Sequence, residues 1–369
     1  MILPVRKFVT LGGGANWGPW SLVVAAVSLM IVHGQQASET GGFALAWLEG
    51  GCSACEVARG IDQIRFTSAS EAWAVGCNFG PEGTGDYVVV RTKDAGRTWT
   101  EVSQTYEHAG SPSLSFINAR WGWIAWWNPA SDPQLTRTID GGDHWEYVSG
   151  RFVQKLQFVD TEHGYGVDTT TFLRTADGGH RWAQVQIPHV QLINRMVFLS
   201  SDVGWVAGTD DKDILVFRTG DGGRSWEESR TGSPESIGFI ADLFFLDSAH
   251  GWLIAWHVND GGTSLFKTAD SGKTWTQERD MSFQGPGKWA RVVRFVSGKL
   301  GFVFESDEAA RGPRTSRSIL VYTEDGGNHW HQQSLPRSVY DCQVYGGELK
   351  CSADGGGKPG FAVLTVHPK

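Results

Sequence analysis

An eight-residue motif, Thr-x-Asp-x-Gly-x-x-Trp, occurs six times in this chain and limits its fold more than any other feature. Successive motif Trp residues are 46, 37, 44, 49 and 55 positions apart. Spacings of this size are typical of β-propeller blades, each a sheet of four short strands whose loops vary in length. The motif therefore predicts an all-β propeller. Its Asp and Trp residues are Asp94, Trp99, Asp140, Trp145, Asp177, Trp182, Asp221, Trp226, Asp270, Trp275, Asp325 and Trp330.

A second pattern precedes each octad: an apolar residue, any residue, Phe, and about six residues later Gly or Ala followed by an aromatic residue. Each unit is thus predicted to have four strands, with the octad as the turn between strands three and four. In that turn Asp accepts amide hydrogen bonds, Gly takes a left-handed conformation, and Trp packs between blades. Six equivalent carboxylates on separate turns do not converge on one substrate, so these Asp residues are predicted to be structural.

The six octad units occupy about residues 60–335. The segments 340–345, 348–351 and 360–366 alternate as strands do, and an N-terminal strand at 43–50 is available as a fourth partner. We therefore predict a seventh blade from 339–369 and this N-terminal strand, which closes the ring and removes exposed sheet edges. The propeller is predicted to be a single domain over 41–369.

Residues 1–37 have the zones of an export signal: Arg6 and Lys7, an apolar run over 20–32, then small and polar residues. The run is shorter than the roughly 20 residues that a spanning helix needs. A cleavable signal peptide is predicted, with an uncleaved N-terminal membrane anchor as the alternative. The expected location is periplasmic, thylakoid-lumenal or extracellular.

Five cysteines occur in the chain, which in an exported protein predicts disulfides. Cys342 and Cys351 flank a Gly-Gly turn and are predicted to pair. Either Cys52 or Cys55 is predicted to bond Cys77. The Cys52–Cys55 spacing lacks the second pair that a zinc site requires, so neither a metal nor a cofactor is expected.

The octads resemble Asp-boxes, also called BNR repeats. Together with the preceding pattern, over residues 60–335, they are similar to the photosystem II stability and assembly factor family. That resemblance implies an exported seven-bladed β-propeller without catalytic activity that binds a protein partner, with photosystem II as the membrane complex. Sialidases and xyloglucanases also contain Asp-boxes, so the alternative is a glycan-active or glycan-binding propeller. The Arg-Ile-Pro motif usual in sialidases is absent from the sequence, and the chain is too short for two propellers.

Charge and strand position indicate where a partner binds. The formal net charge of −8 disfavours nucleic acid as a partner, and a monomer that binds protein is expected. Polar positions on the innermost strands are nevertheless rich in basic residues, which predicts a positive patch for partner binding. Trp126 and Trp256, which the repeat does not explain, form an alternative aromatic platform. The basic candidates are Arg65, Arg151, Lys155, Arg195, Arg291 and Arg294.

Overall fold

The computed structural model describes residues 37–40, 42–52, 58–79, 85–102, 112–126, 133–151, 153–210, 213–232, 237–257, 262–278, 288–307, 317–354 and 361–369. The predicted export signal lies outside these residues, apart from residue 37. Cys55 and the side chains of Cys52 and Cys77 also lie outside them, so the pairing of Cys77 stays a prediction. Across the described ranges, no helix is long and apolar enough to cross a membrane.

Six blades follow one another along the chain, each an antiparallel sheet of four consecutive strands. Ahead of them come β1 (Ala37–Thr40), β2 (Phe43–Glu49) and β3 (Gly51–Cys52), and β3 pairs in parallel with the outer strand of blade 1. Blade 1 contains β4 (Ala58–Phe66), β5 (Ala72–Phe79), β6 (Gly85–Thr92) and β7 (Thr98–Glu101). Blade 2 contains β8 (Ser113–Phe116), β9 (Gly122–Trp126), β10 (Gln134–Thr138) and β11 (Glu146–Ser149). Blade 3 contains β12 (Lys155–Phe158), β13 (His163–Asp168), β14 (Thr171–Ala176) and β15 (Ala183–Val185).

Blades 4 to 6 repeat the arrangement. Blade 4 contains β16 (Leu192–Phe198), β17 (Gly204–Thr209), β18 (Ile214–Thr219) and β19 (Glu227–Arg230). Blade 5 contains β20 (Ile237–Phe245), β21 (Gly251–His257), β22 (Thr263–Thr268) and β23 (Thr276–Gln277). Blade 6 contains β24 (Lys288–Phe295), β25 (Gly301–Asp307), β26 (Arg317–Thr323) and β27 (His331–Ser334).

Blade 7 joins the two ends of the propeller. It contains β28 (Val339–Tyr345), β29 (Glu348–Asp354) and β30 (Phe361–Pro368), and β2 pairs antiparallel with β30 as the fourth strand. The predicted all-β, seven-bladed propeller is confirmed. The outer strand β1 adds a fifth member that the sequence did not predict. Cys342 and Cys351 are direct cross-strand partners in β28 and β29 and form a disulfide.

Stacked aromatic rings hold consecutive blades together. The aromatic residue that opens the second strand of one blade stacks on the Phe that ends the first strand of the next. Centroid distances are 4.7 Å for Trp73 and Phe116, 3.8 Å for Trp123 and Phe158, 3.5 Å for Tyr165 and Phe198, 3.7 Å for Trp205 and Phe245, and 3.6 Å for Trp252 and Phe295. Both halves of the second sequence pattern thus belong to one contact between blades.

Four of these five aromatic residues follow a glycine, and each of these glycines packs against the Phe that ends the first strand of its own blade. A Cβ on Gly122 would lie 2.1 Å from the Phe116 ring, and one on Gly204 would lie 2.3 Å from the Phe198 ring. Such distances are far below van der Waals contact, so a larger residue here would displace the ring from its stack. In the blades that carry it, this glycine is therefore required by packing.

The octads form six nearly identical turns. In every copy the Thr hydroxyl donates to Asp Oδ1 over 2.8 to 2.9 Å and accepts the Gly N–H over 2.7 to 3.1 Å. The Asp also accepts the amide of the residue before the Trp, and hydrogen bonds from Thr274 lower the pKa of Asp270 to about 2. Each octad turn also donates a backbone hydrogen bond to the turn between the first two strands, as Gly178 does to Glu162. Both kinds of turn therefore share one face of the ring, here named the octad face.

Asp177→Ala should lower the free energy of unfolding by about 2 kcal/mol, because the turn loses a charged acceptor. Asp177 Oδ1 accepts from the Thr175 hydroxyl at 2.8 Å and from the Arg181 amide at 2.9 Å. Urea unfolding measures the loss. Glu162→Ala, which removes the same charge from an exposed position on the adjacent turn, is the matched control and should change stability by less than about 0.5 kcal/mol. Equal stability of the two variants would show that the octad is not a folding element.

Candidate functional site

The first strands of the seven blades surround a central cavity of about 640 Å³. These strands are β4, β8, β12, β16, β20, β24 and β28, and each contributes lining residues. Because side chains alternate along a strand, the positions three and one before the terminal Phe of β4, β8 and β12 point toward the same cavity. All seven blades therefore contribute side chains to the lining of the cavity.

Polar side chains of one inner strand bind the backbone of the next inner strand. Gln63 Oε1 accepts the Leu114 amide at 3.1 Å, and Gln157 Oε1 accepts the Phe198 amide at 2.9 Å. Ser113 makes the corresponding bond to the next strand, accepting from the Leu156 amide at 2.9 Å. Much of the polar lining is thus used to hold blades together.

Charged residues make the same kind of contact around the rest of the ring. Arg195 Nε donates to the Ala241 carbonyl at 2.8 Å. Asp242 Oδ2 accepts the Val293 amide at 2.9 Å. Arg294 Nε donates to the Cys342 carbonyl, and Asp341 Oδ2 accepts the Ile64 amide, which closes the circle from blade 7 to blade 1.

The structure brings five of the six predicted basic residues together. Arg65, Lys155, Arg195, Arg291 and Arg294 all line the cavity. Arg151 does not; its Nη2 lies 3.5 Å from Asp168 Oδ2. Among the described lining residues the carboxylates are Asp242 and Asp341, so the lining contains five cations and two carboxylates.

Two of these cations are neutralised by partners that are remote in sequence. Arg65 Nη1 lies 2.6 Å from Asp341 Oδ2, and Arg294 Nη1 lies 2.5 Å from Asp242 Oδ2. Arg294 also lies 3.7 Å from Asp341. The six basic candidates are therefore not equivalent, since Arg65 and Arg294 are ion-paired residues that also hold neighbouring blades together.

Asp242 and Asp341 pair with Arg294 and Arg65. Lys155 and Arg195 add further positive charge to the cavity. Arg195 donates to the main-chain carbonyls of Asn194 and Ala241, and its guanidinium lies 5.2 Å from the centre of the Phe239 ring. Burial, with repulsion from Arg195 next, lowers the pKa of Lys155 to about 8. Burial likewise lowers the pKa of Arg195. An anionic group entering the cavity would relieve the repulsion between these two cations.

The predicted aromatic candidates lie apart from each other. Trp126 is half-buried between blades 1 and 2, against the cluster that contains Trp73. Trp256 belongs to the interface of blades 5 and 6, where its indole nitrogen donates to the Ala290 carbonyl at 2.6 Å. They do not form one platform.

Sequence reasoning missed Asp341, Gln343 and Tyr340, which line the cavity from blade 7. That blade lacks both the octad and the Phe pattern, so no repeat marked its inner positions. The remaining signal is the alternation of polar residues along β28, with Asp341 and Gln343 two apart, as on the other inner strands. In the described part of the chain, no group of three or more His, Cys, Asp or Glu side chains is placed to hold a metal ion.

A family model described as photosynthesis system II assembly factor YCF48 matches residues 149–233. The structure of YCF48 bound to D1 peptide has the same fold, with 16% identity, a TM-score of 0.61, and coverage of 91% of this chain and 97% of that one. YCF48 from Cyanidioschyzon merolae gives 16% identity and a TM-score of 0.61, covering 87% of this chain and 98% of that one. The predicted resemblance to assembly-factor propellers is confirmed.

A GH74 xyloglucanase from Xanthomonas campestris shares the propeller at 14% identity and a TM-score of 0.60. The alignment covers 84% of this chain and 52% of the enzyme. No curated protein sequence matches the chain. At these identities the solved structures establish the fold, while the segment 149–233 carries the sequence likeness.

Lys155→Met should stabilise the protein by about 2 kcal/mol at pH 7, because it removes a charge that the fold disfavours. The advantage should shrink as pH rises from 8 to 10. Over that range the folded protein releases the Lys155 proton while the unfolded chain keeps it, so the wild type gains stability with pH. Urea unfolding of both proteins at pH 7, 8, 9 and 10 measures the difference. The matched control is Lys299→Met, at an exposed site on the octad face; a pH-independent difference for Lys155→Met would contradict the argument.

Proposed function

We propose that this chain is an exported, non-catalytic propeller that binds an acidic segment of a protein partner in its central cavity. The observation that carries the proposal is the cavity lining, in which five cations face two carboxylates that are already engaged. Such an excess focuses positive potential within low-dielectric walls and attracts acidic groups to an otherwise acidic protein.

The size of the cavity favours a peptide segment as the ligand. A volume of about 640 Å³ accommodates a few side chains but not a folded domain. The structure of YCF48 bound to D1 peptide shows that a propeller with this fold binds a peptide. By that likeness and the segment matched to the YCF48 model, the proposed partner is a subunit of a membrane complex, with photosystem II as the family's complex.

A glycan-cleaving function is the alternative, and the cavity carboxylates argue against it. Glycosidases use two carboxyl groups, one as an acid and one as a base or nucleophile. Asp242 pairs with Arg294 and accepts amides from Leu243 and Val293. Asp341 pairs with Arg65 and accepts amides from Ile64 and Cys342. Both groups hold strands in place, so neither is available for proton transfer to a sugar.

Binding should depend on the acidity of the segment and on salt. The wild type should bind an Asp- and Glu-containing decapeptide in preference to its Asn and Gln counterpart, and the preference should weaken from 20 to 300 mM NaCl as screening increases. Lys155→Gln should weaken binding of the acidic peptide about tenfold, because it removes a cation that lines the cavity and leaves the interblade hydrogen bonds of Arg195 and Arg294 in place. Surface plasmon resonance measures the dissociation constants.

Lys299→Gln removes an equal charge from the octad face and should leave binding unchanged. Equal affinity for both peptides, or no effect of Lys155→Gln, would contradict the proposal that the cavity binds an acidic segment. Turnover of sialosides, xyloglucan or aryl glycosides that disappears in Asp242→Asn would favour the alternative function. Amino-terminal sequencing of the protein recovered from the exported fraction tests the proposed signal peptide.

A further inference from the structure

Three half-buried aromatic rings meet where blades 5 and 6 join, on the face opposite the octad face. They are Phe239 near the start of β20, Trp256 near the end of β21 and Trp289 near the start of β24. We name them the aromatic corner. The Trp256 and Trp289 centroids are 4.9 Å apart in an edge-to-face arrangement, and the Phe239 and Trp256 centroids are 5.6 Å apart.

The aromatic corner differs from the aromatic stacks between blades. In the stack at the same interface, Trp252 and Phe295 are 5% and 0% exposed. Phe239, Trp256 and Trp289 are each only partly buried. Hydrogen bonding of the Trp256 indole to the Ala290 carbonyl fixes the orientation of its ring. The corner is therefore an ordered apolar surface that packing between blades 5 and 6 leaves partly accessible.

One contact and one chain neighbour place the aromatic corner next to the cavity. The Arg195 guanidinium, which lines the cavity, lies 5.2 Å from the centre of the Phe239 ring. The carbonyl that Trp256 binds belongs to Ala290, and the next residue, Arg291, lines the cavity. An extended segment with its acidic group beside Arg195 would thus place a neighbouring side chain against the three rings.

We infer that the aromatic corner binds an aromatic side chain of the same segment whose acidic group enters the cavity. This inference rests on the proposed function and narrows the partner to an extended acidic segment that carries Trp, Tyr or Phe close to its acidic residues. Aromatic side chains bury large areas at low entropic cost and pack edge to face with fixed rings. The cations attract the acidic group of the segment into the cavity. The rings make the protein prefer segments with an aromatic residue beside that group.

The test compares two acidic decapeptides that differ only in a central Trp or Ala. The wild type should bind the Trp peptide about tenfold more tightly by isothermal titration calorimetry. Trp289→Leu, which keeps an apolar side chain but removes the ring, should lose this preference and still bind the Ala peptide with wild-type affinity. Trp126→Leu, at the half-buried Trp that ends the second strand of blade 2, is the matched control and should keep the tenfold preference.

Phe239→Leu provides a second variant, and circular dichroism melts of all three variants report whether the fold is kept. Equal binding of the two peptides by the wild type, or a preference that survives both Trp289→Leu and Phe239→Leu, would overturn the aromatic corner while leaving the acidic-segment proposal intact. Failure of both peptides to bind the wild type would overturn both proposals.

Discussion

The phenylalanine that ends an inner strand lies between aromatic rings from two blades. Phe158, for example, stacks on Trp123 of the preceding blade and meets the edge of Trp182, its own octad Trp, at 6.1 Å. One ring therefore contributes both to the core of its own sheet and to the contact with the neighbouring sheet. Because the arrangement recurs in blades 2 to 6, it helps to set both the angle between these blades and the width of the cavity.

Local signals explain why most of the fold follows from the sequence. The octad turn is built from residues within eight positions, so its spacing alone locates strands three and four in six blades. The Phe and Gly-aromatic pattern locates strands one and two, although the stacking partner of each Phe lies 33 to 43 positions earlier. The strand β1 lacked such a signal: Ala37–Thr40 carries no apolar alternation, and its place at the edge of blade 7 depends on pairing with β2.

The charge of the candidate site was harder to predict from the sequence than the fold, and the reason is electrostatic. Alternation and the Phe landmark predicted that Arg65, Lys155, Arg195 and Arg294 face inward, and all four line the cavity, whereas Arg151 does not. Their net effect depends on carboxylates that reach them from other blades: Arg65 and Asp341 are separated by 276 positions. A count of basic residues along the chain treats Arg294 and Arg195 alike, yet only Arg294 has carboxylates within 4 Å in the described structure.

The junction of β2 with β30 has a consequence for the order of events during synthesis. Seven consecutive residue pairs join a strand near the start of the chain to one that ends at Pro368. Synthesis proceeds from the amino end, so β2 lacks its partner β30 until residues 361–368 have been made. Contacts between residues so far apart in sequence form slowly. Until they form, the unpaired strand edges stay exposed and are prone to aggregation. Until β30 is available, blades 1 to 6 can form only an open arc, whose cavity lacks the wall that blade 7 supplies.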